Sequence, residues 1–252
     1  MSYVLTNDQG ILKFVINRPE KRNAINFEVM DGLERAVEIV MNSSIRYLVI
    51  SGEGDKSFCS GGDLSEFHSL KTEEEAYSML SRMADILYRI ATLPIPVIAL
   101  VNGSAVGGGC EIATACDYRI VSSEAKCGFI QGSLGITSGW GGGTYLIEKF
   151  SHTDRMLKFL SEATPLDSKE LLQIGWASDV YSNDHWGAFT QFIQRMESVD
   201  PSVHRAYKEI AIRKWQQSEL RERIEKEVRR CAILWESEVH EQAVQNFLSK
   251  KK

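Results

Sequence analysis

The sequence offers little that would bind a metal, a membrane or a polyanion. Its five cysteines are odd in number and no two have the spacing of a zinc site, so we expect reduced thiols in packing roles. The apolar run over residues 95–106 is too short to span a bilayer, and no basic-then-apolar leader opens the chain. A formal net charge of −5 argues against a general nucleic-acid binder. These absences predict a cytoplasmic protein with no metal centre and no membrane partner.

What the chain does contain is an alternation of strand and helix patterns. Its 252 residues, 43% hydrophobic and 25% charged, are typical of a soluble globular protein with a substantial core. Strands that alternate with helices imply βαβ units around a buried sheet, which is an α/β fold. From residue 186 onwards the pattern is almost wholly helical. The predicted strands are 4–6, 11–16, 47–50, 97–101 and 117–121, and the predicted helices before residue 186 are 27–41, 72–93, 142–150, 154–161 and 168–174.

One stretch, Leu100–Glu111, ends an apolar run in three consecutive glycines and then a carboxylate. Glycines let the backbone bend tightly and approach a ligand with no Cβ in the way. The pattern begins a helix there, so unpaired N–H groups would point into the turn, where they could hold negative charge on an oxygen. Glu111 stands beside this turn as a candidate acid or base. By itself, a triple glycine is more simply a tight strand-to-helix turn.

A second turn of the same kind follows the apolar segment Tyr47–Gly52. The sequence Phe58–Leu64 also ends in glycines, ahead of Asp63, an acidic residue that could cap a helix. Two such turns can each donate one N–H group to the same oxygen, and this is the arrangement of an oxyanion hole. The pair of turns therefore favours a catalytic interpretation over a purely structural one.

With both turns in view, the chain resembles the crotonase superfamily, also called the enoyl-CoA hydratase/isomerase family. The resemblance runs over nearly the whole length and is carried by residues 17–24, 58–64, 99–117, 135–144 and 247–250. It implies an α/β fold of the ClpP/crotonase type, a spiral of ββα units followed by C-terminal helices. It also implies trimers, often paired into hexamers.

The same resemblance implies two regions of the chain with different roles. Residues 1–195 would form the core with the oxyanion hole, and residues 196–252 a helical region for oligomerisation and for completing the coenzyme A site. The substrate would be a coenzyme A thioester whose enolate-like oxygen accepts from the backbone N–H groups of Gly62 and Gly108. Because coenzyme A is part of the substrate, no separate cofactor is expected.

Further residues are implied to surround the ligand. They are Lys21, Arg22, Ala24, Ser60, Gly61, Asp63, Trp140, Phe247 and Lys250. Most of them would meet the nucleotide end of coenzyme A, whereas Trp140 would line the acyl pocket. From the residues alone, Lys21 and Arg22 are a solvated basic turn, Asp63 is a helix cap and Trp140 has a packing role. Both interpretations stay open at this point.

The sequence departs from the hydratase pattern at the second catalytic position. Hydratases of this family use two glutamates; the first is Glu111 here, and the second position holds Gln131. A glutamine can orient water, but it has no proton to exchange near neutral pH. Decarboxylation needs an oxyanion hole for the enolate left after CO2 departs, and no base to remove a carbon proton. Gln131 therefore makes efficient hydration an unfavourable interpretation and is compatible with decarboxylation.

The leading hypothesis is a lyase that transforms acyl-CoA through a thioester enolate. Hydration is the commonest activity of the family, whereas the local residues favour decarboxylation of methylmalonyl- or ethylmalonyl-type thioesters; isomerisation is a further alternative. A different class is a catalytically silent protein that binds acyl-CoA or RNA. The chain is acidic and ends in a run of only three lysines, so nucleic acid is not the expected partner.

The remaining charges are interpreted as facing solvent. Glu148 is predicted to be a solvated helix charge, and the alternating run 221–230 an exposed or inter-subunit helix face. In the tail, Trp235, Val239, Val244 and Phe247 recur at near-helical spacing. They are predicted to bury an apolar face against the body or another subunit.

Overall fold

The computed structural model describes residues 1–67, 69–182 and 184–249, apart from the side chains of Phe247 and Leu248. The strands are β1 (Tyr3–Asp8), β2 (Ile11–Ile16), β3 (Tyr47–Gly52), β4 (Ser57–Cys59), β5 (Val97–Val101), β6 (Ser104–Val106), β7 (Tyr118–Ser122), β8 (Lys126–Gly128), β9 (Leu166–Asp167) and β10 (Asp179–Tyr181). The α-helices are α1 (Phe27–Asn42), α2 (Leu64–Phe67), α3 (Glu73–Ala91), α4 (Gly108–Ala115), α5 (Gly142–Lys149), α6 (Thr153–Ser161), α7 (Ser168–Gln173), α8 (His185–Ile193), α9 (Pro201–Gln217), α10 (Leu220–Trp235) and α11 (Glu238–Ser249). Short 3-10 turns cover Pro19–Lys21 and Gln131–Leu134.

The larger sheet has the strand order β1-β2-β3-β5-β7-β10. β1 and β2 pair as an antiparallel hairpin, and the remaining neighbours pair in parallel. Every residue of β3 and β5 is buried. Central parallel strands are covered on both faces, and this is why these two show continuous apolar runs rather than an alternation. The predicted hairpin and the three predicted strands that follow it are confirmed.

A second sheet, β4-β6-β8-β9, was not predicted from the sequence. Its strands have two or three residues each, too few for a period of two to show. β4 pairs in parallel with β6, so that Ser57 faces Ser104 and Cys59 faces Ala105. Parallel strands end at the same edge of a sheet. The glycine turns that follow β4 and β6 therefore lie side by side.

The first long helices begin at well-formed caps. The side chain of Asn26 accepts a hydrogen bond from the amide of Val29 at the start of α1. Thr72 caps α3 and forms a reciprocal capping box with Glu75. α3 ends at Ala91 rather than at Leu93, because the residue before Pro94 is disfavoured in the helical region.

The C-terminal helices pack on the body of the chain. α10 lies against α3 and α5, and α11 lies against the 3-10 turn Gln131–Leu134. Trp235 packs at the edge of the main core and donates its indole N–H to the carbonyl of Leu70. Val239, in contrast, is 68% exposed, so within this chain the predicted apolar face of the tail is buried only in part. No helix in the described part of the chain has the length and apolarity to cross a bilayer.

Candidate active site

A cavity of about 640 Å³ opens between the two glycine turns, the 3-10 turn Gln131–Leu134 and the C-terminal helices. Every predicted site residue whose side chain the structure describes lines it. These residues are Lys21, Arg22, Ala24, Ser60, Gly61, Gly62, Asp63, Gly108, Glu111, Gln131 and Trp140. The side chain of Phe247 and the whole of Lys250 lie outside the described residues. The cavity thus brings together positions that are widely separated in the sequence.

The backbone of the two glycine turns forms one wall of the cavity. A Cβ added to Gly61 would lie 3.2 Å from the amide nitrogen of Gly108, so the turns are in contact. Gly61 and Gly107 have positive φ angles of 93° and 56°, which residues with a side chain rarely adopt. Gly108 is the first residue of α4, and its amide therefore has no acceptor inside the helix. Neither this amide nor that of Gly62 donates a hydrogen bond to another group in residues 1–67, 69–182 and 184–249.

Glu111 lies one turn into α4 and is 2% exposed. Its Oε1 accepts from Nε2 of Gln131 at 2.9 Å and from the amide of Gly139 at 3.2 Å. Its Oε2 accepts from the amides of Trp140 at 2.7 Å and Gly142 at 2.9 Å. Each oxygen of the carboxylate is therefore held by two N–H donors, and its position is fixed before any ligand binds.

Burial raises the pKa of Glu111 from its ordinary value of 4.5 to about 7. The negative charge of Glu227 acts in the same direction, and the three backbone N–H donors oppose it by favouring the charged form. Such a carboxyl group is part protonated near neutral pH. It can both accept and donate a proton, which is what general acid–base catalysis requires.

Gln131 stands beside Glu111, where the resemblance places a second catalytic group. It begins the 3-10 turn, and its amide N–H anchors the carboxylate of Glu111. Its carbonyl Oε1 is buried and accepts no hydrogen bond from the described part of the protein. Gln131 therefore supplies a fixed donor and a free acceptor, but no exchangeable proton.

Trp140 contributes to both packing and the cavity wall. Its indole lies over the first turn of α4, since a Cβ on Gly108 would come within 2.1 Å of the ring. The ring also lies 3.7 Å from a Cβ placed on Gly62. Trp140 is 3% exposed and lines the cavity, so the two interpretations of this residue hold together.

The predicted coenzyme A residues cluster at one end of the cavity. Lys21 and Arg22 are exposed at its rim, next to Ser60, whose amide donates to the carbonyl of Arg22 at 3.1 Å. Asp63 has the structural role that its position predicts: its Oδ1 accepts from the amide of Ser65 at 2.9 Å. Its other oxygen pairs with Arg18 at 2.7 Å. Two cations at the rim and a neutralised carboxylate behind them suit a phosphate-bearing ligand.

One interpretation of a charged residue was wrong, and another holds only in part. Glu148 is not solvated: its side chain is 8% exposed and pairs with Lys214 and Arg223, because α9 and α10 pack over α5. Most charged residues of the run 221–230 are exposed, as predicted, but Glu227 is not. Glu227 turns inward and accepts hydrogen bonds from Ser138, Gly143 and Thr144.

The C-terminal helices also supply cavity residues that were not predicted from the sequence, namely Cys231, Trp235 and His240. A signal for the inward face of α10 does exist in the sequence. Ile224, Val228 and Cys231 are apolar at helical spacing, and Glu227 lies on the same side of the helix. The alternating charges between them concealed this pattern.

The chain is similar to known proteins in family, sequence and fold. A family model described as enoyl-CoA hydratase/isomerase matches residues 6–252. The chain is 35% identical over 210 residues to an ethylmalonyl-CoA decarboxylase of Mus musculus; the match covers 81% of this chain and 65% of the mouse protein. The fold matches an enoyl-CoA hydratase from Mycobacterium avium subsp. paratuberculosis K-10 with a TM-score of 0.85 and 24% identity, covering 97% of this chain and 98% of the other. It also matches a carnitinyl-CoA hydratase from Mycobacterium avium with a TM-score of 0.83 and 25% identity, covering 99% and 96%.

Proposed function

The chain belongs to the enoyl-CoA hydratase/isomerase family, and we propose that it removes CO2 from malonyl-type acyl-CoA thioesters such as methylmalonyl- or ethylmalonyl-CoA. The observation that carries this proposal is the pair Glu111–Gln131. Beside the two glycine turns stands one buried carboxylate, and its neighbour is an amide that cannot exchange a proton. The similarity to an ethylmalonyl-CoA decarboxylase supports the same reaction.

The first step uses the backbone wall of the cavity. The thioester oxygen accepts from the N–H groups of Gly62 and Gly108, which face no other acceptor in the described structure. The bond between the α-carbon and the substrate carboxylate breaks, and its electron pair forms the enolate, whose negative charge rests on that oxygen. CO2 leaves as a neutral molecule. One such oxyanion donor is worth about 10²–10³ in rate.

The side chains around the acyl end assist this step by excluding water. Met79, Leu80 and Trp140 line the cavity and are each less than 5% exposed. An ionised carboxylate is poorly solvated against such a surface, whereas CO2 is neutral. The apolar wall therefore disfavours the substrate carboxylate relative to the enolate and CO2, whose negative charge lies at the two N–H donors.

The second step returns a proton to the α-carbon. Glu111, with a pKa of about 7, is part protonated near neutral pH and delivers this proton directly or through a water molecule. The proton is then replaced from solvent, and the product is the saturated acyl-CoA. No base is needed to remove a proton from carbon, so the amide at position 131 is no handicap.

The residues at the rim of the cavity are proposed to bind the rest of the ligand. We assign Lys21 and Arg22 to the phosphates of coenzyme A, with Ala24, Ser60 and Gly61 beside the nucleotide. Coenzyme A enters as part of the substrate. The trimeric or hexameric assembly, the contribution of residues 247 and 250, and the cytoplasmic location belong to the same proposal.

Hydration of an enoyl-CoA is the second candidate, and one observation favours it. The buried Oε1 of Gln131 has no partner among the described residues, so it could accept a hydrogen bond from a water molecule that Glu111 activates. Such a site would bind water through one carboxylate and one amide. The rate should then fall well below that of a site with two carboxylates, because one positioned acid or base contributes about 10²–10⁴.

A single assay separates these candidates. Purified protein is incubated in turn with crotonyl-CoA, a 3-enoyl-CoA, methylmalonyl-CoA and ethylmalonyl-CoA, and the products are identified by mass spectrometry. Loss of CO2 from a malonyl-type thioester, with slow or no addition of water to crotonyl-CoA, is the expected result. Rapid hydration with no decarboxylation would overturn the proposal in favour of the second candidate.

A further inference from the structure

Residues 138–144, which lead into α5 and form its first turn, have their backbone amides divided between two carboxylates. The amides of Gly139, Trp140 and Gly142 donate to Glu111 on α4. The next amide, that of Gly143, donates to Glu227 on α10 at 3.0 Å. The two carboxylates thus accept hydrogen bonds from neighbouring amides of one segment.

Glu227 makes four contacts with this segment. Its Oε1 accepts from the hydroxyl of Ser138 at 2.5 Å and from the amide of Gly143. Its Oε2 accepts from the amide of Thr144 at 2.7 Å and from the hydroxyl of the same residue. Gly141 precedes α5 and has no side chain that could cap the helix, so Glu227 satisfies amides of the first turn from another part of the chain.

The neighbours of Glu227 on α10 hold the same segment by close packing. A Cβ on Gly141 would lie 2.9 Å from Ile224, and a Cβ on Gly139 would lie 2.9 Å from the sulfur of Cys231. The thiol of Cys231 donates to the carbonyl of Thr137 at 3.3 Å. The segment is rich in glycine and cannot hold its own shape, because glycine adds backbone freedom. Its conformation therefore depends on the face of α10.

We propose that Glu227 is a positioning residue: it fixes residues 138–144 so that three of their amides hold the carboxylate of Glu111 in its reactive orientation. This inference rests on the role of Glu111 as the acid or base under the proposed function, but not on which acyl-CoA reaction occurs. It makes α10 a part of the catalytic apparatus. Glu227 itself touches no ligand, since it does not line the cavity.

A charge effect accompanies the geometric one. The negative charge of Glu227 raises the pKa of Glu111, after burial itself. Among the described residues, the other titratable groups that face this pair are the thiol of Cys110 on α4, the phenol of Tyr145 on α5 and the thiol of Cys231 on α10. All three are buried and their pKa values are raised, so they stay neutral near pH 7. Glu227 is therefore the neighbouring charge that a substitution can remove.

The test compares Glu227→Gln, Glu227→Asp and Glu222→Gln on whichever thioester the unmodified protein converts. Glu222 lies on the exposed side of the same helix and serves as the control. We expect Glu227→Gln to lower kcat by about 10- to 100-fold, as small misplacements of a reactive group do, with KM changed less than about threefold. Glu227→Asp should recover part of the loss, and the control should stay within about twofold. A kcat that is unchanged in folded Glu227→Gln would overturn the proposal.

The double variant Glu111→Gln/Glu227→Gln separates positioning from general structural damage. If Glu227 acts through Glu111, adding Glu227→Gln to Glu111→Gln should lower kcat by less than about threefold further. Multiplication of the two single effects would contradict the inference. The pH dependence gives a second readout: in Glu227→Gln the titration of kcat assigned to Glu111 should move to lower pH, because a like charge has been removed.

Two outcomes keep this test independent of the proposed reaction. If Glu227→Gln does not fold, Ser138→Ala removes one of the four contacts, and we expect a loss of about three- to tenfold in kcat; no loss would count against positioning. Failure of the protein to decarboxylate, with active hydration, would refute the proposed function alone. Normal turnover of Glu111→Gln would refute this inference as well, since Glu227 would have nothing to position.

Discussion

The two walls of the cavity are built in different ways. On one wall, the glycines of the two turns follow β4 and β6 directly, and the register of these strands places their amides. On the other wall, residues 138–144 depend on carboxylates 28 to 31 and 83 to 89 positions away in the sequence. The proposed oxyanion donors are thus fixed by local backbone, whereas the proposed acid–base group is fixed by long-range contacts. Substitutions in the first wall should therefore act by steric clash, and substitutions in the second wall by removing a charge.

The largest effect is expected on the second wall, from Glu111→Gln. This change removes the exchangeable proton but keeps the shape of the side chain, so turnover should fall by about 10²–10⁴. Binding of an unreactive coenzyme A thioether, measured by calorimetry, should persist. Turnover close to that of the unmodified protein would remove Glu111 from the mechanism.

A substitution in the glycine turns of the first wall should lower kcat almost as much, but for a steric reason. A Cβ on Gly108 would lie 2.1 Å from the ring of Trp140, so Gly108→Ala must displace either the indole or the start of α4. We expect kcat to fall by about 10²–10³, the value of one oxyanion donor.

Gly54→Ala provides the control for the steric effect. Gly54 also has a positive φ, 81°, but an added Cβ there meets no atom within 4 Å. This variant should lose about 1 kcal/mol in the free energy of unfolding and keep its kcat. Equal kcat values for Gly108→Ala and Gly54→Ala would show that the turn before α4 is not the oxyanion site.

The buried carboxyl group of Glu111 on the second wall should make the free energy of unfolding depend on pH. The pKa of Glu111 is about 7 when folded and 4.5 ordinarily, so folding favours the protonated form. This contribution is fully present below pH 4.5 and is lost as the pH rises through 7. Between pH 4 and pH 8 the unmodified protein should lose about 3 kcal/mol relative to Glu111→Gln.

Urea unfolding of both proteins at the two pH values measures this difference. The kcat of the unmodified protein should also decline above pH 7, since the acid that returns the proton is then ionised. A difference in the free energy of unfolding that does not change with pH would contradict the assignment of the raised pKa to Glu111.

The smallest effect on activity is expected from substitutions in ion pairs away from residues 138–144, both between α10 and the body and on α6. Arg223→Met removes one partner of Glu148, whose side chain is 8% exposed, and should cost about 1–3 kcal/mol in unfolding free energy. Lys158→Met breaks an exposed pair with Glu162 and should cost less than about 0.5 kcal/mol. Both variants should keep their kcat. A large loss of kcat in Arg223→Met would show that α10 supports the site beyond Glu227.

The difference between the walls also explains what the sequence could predict. The crotonase-like fold and the family were predicted correctly, because the glycine turns are contiguous motifs. Five strands of the larger sheet were predicted, since each has five or six residues, whereas β10, with three residues, was missed. The strands β4, β6 and β8 were missed because three residues carry no period, although β4 and β6 align the two turns.

Almost none of the contacts that form the second wall could be predicted from the sequence. The resemblance placed Glu111 and Gln131 at one site, and the structure brings them to 2.9 Å. Nothing in the sequence indicates that Glu111 binds amides of residues 139–142. Glu148 was assigned to solvent, and the run with Glu227 to an exposed or inter-subunit face, because a charged residue on a helix is usually exposed. Their partners come from separate helices, and only the packing of α9 and α10 reveals them.

The central claim is that an amide at position 131, beside a single buried carboxylate, selects decarboxylation over hydration. Initial rates with ethylmalonyl-CoA and crotonyl-CoA, measured at one pH for the unmodified protein and Gln131→Glu, test it most directly. We expect the unmodified protein to decarboxylate ethylmalonyl-CoA and to hydrate crotonyl-CoA only slowly. Gln131→Glu should raise hydration by about tenfold or more and lower decarboxylation, because a second negative charge then faces the substrate carboxylate. An unmodified protein that hydrates crotonyl-CoA rapidly and leaves ethylmalonyl-CoA intact would contradict the account.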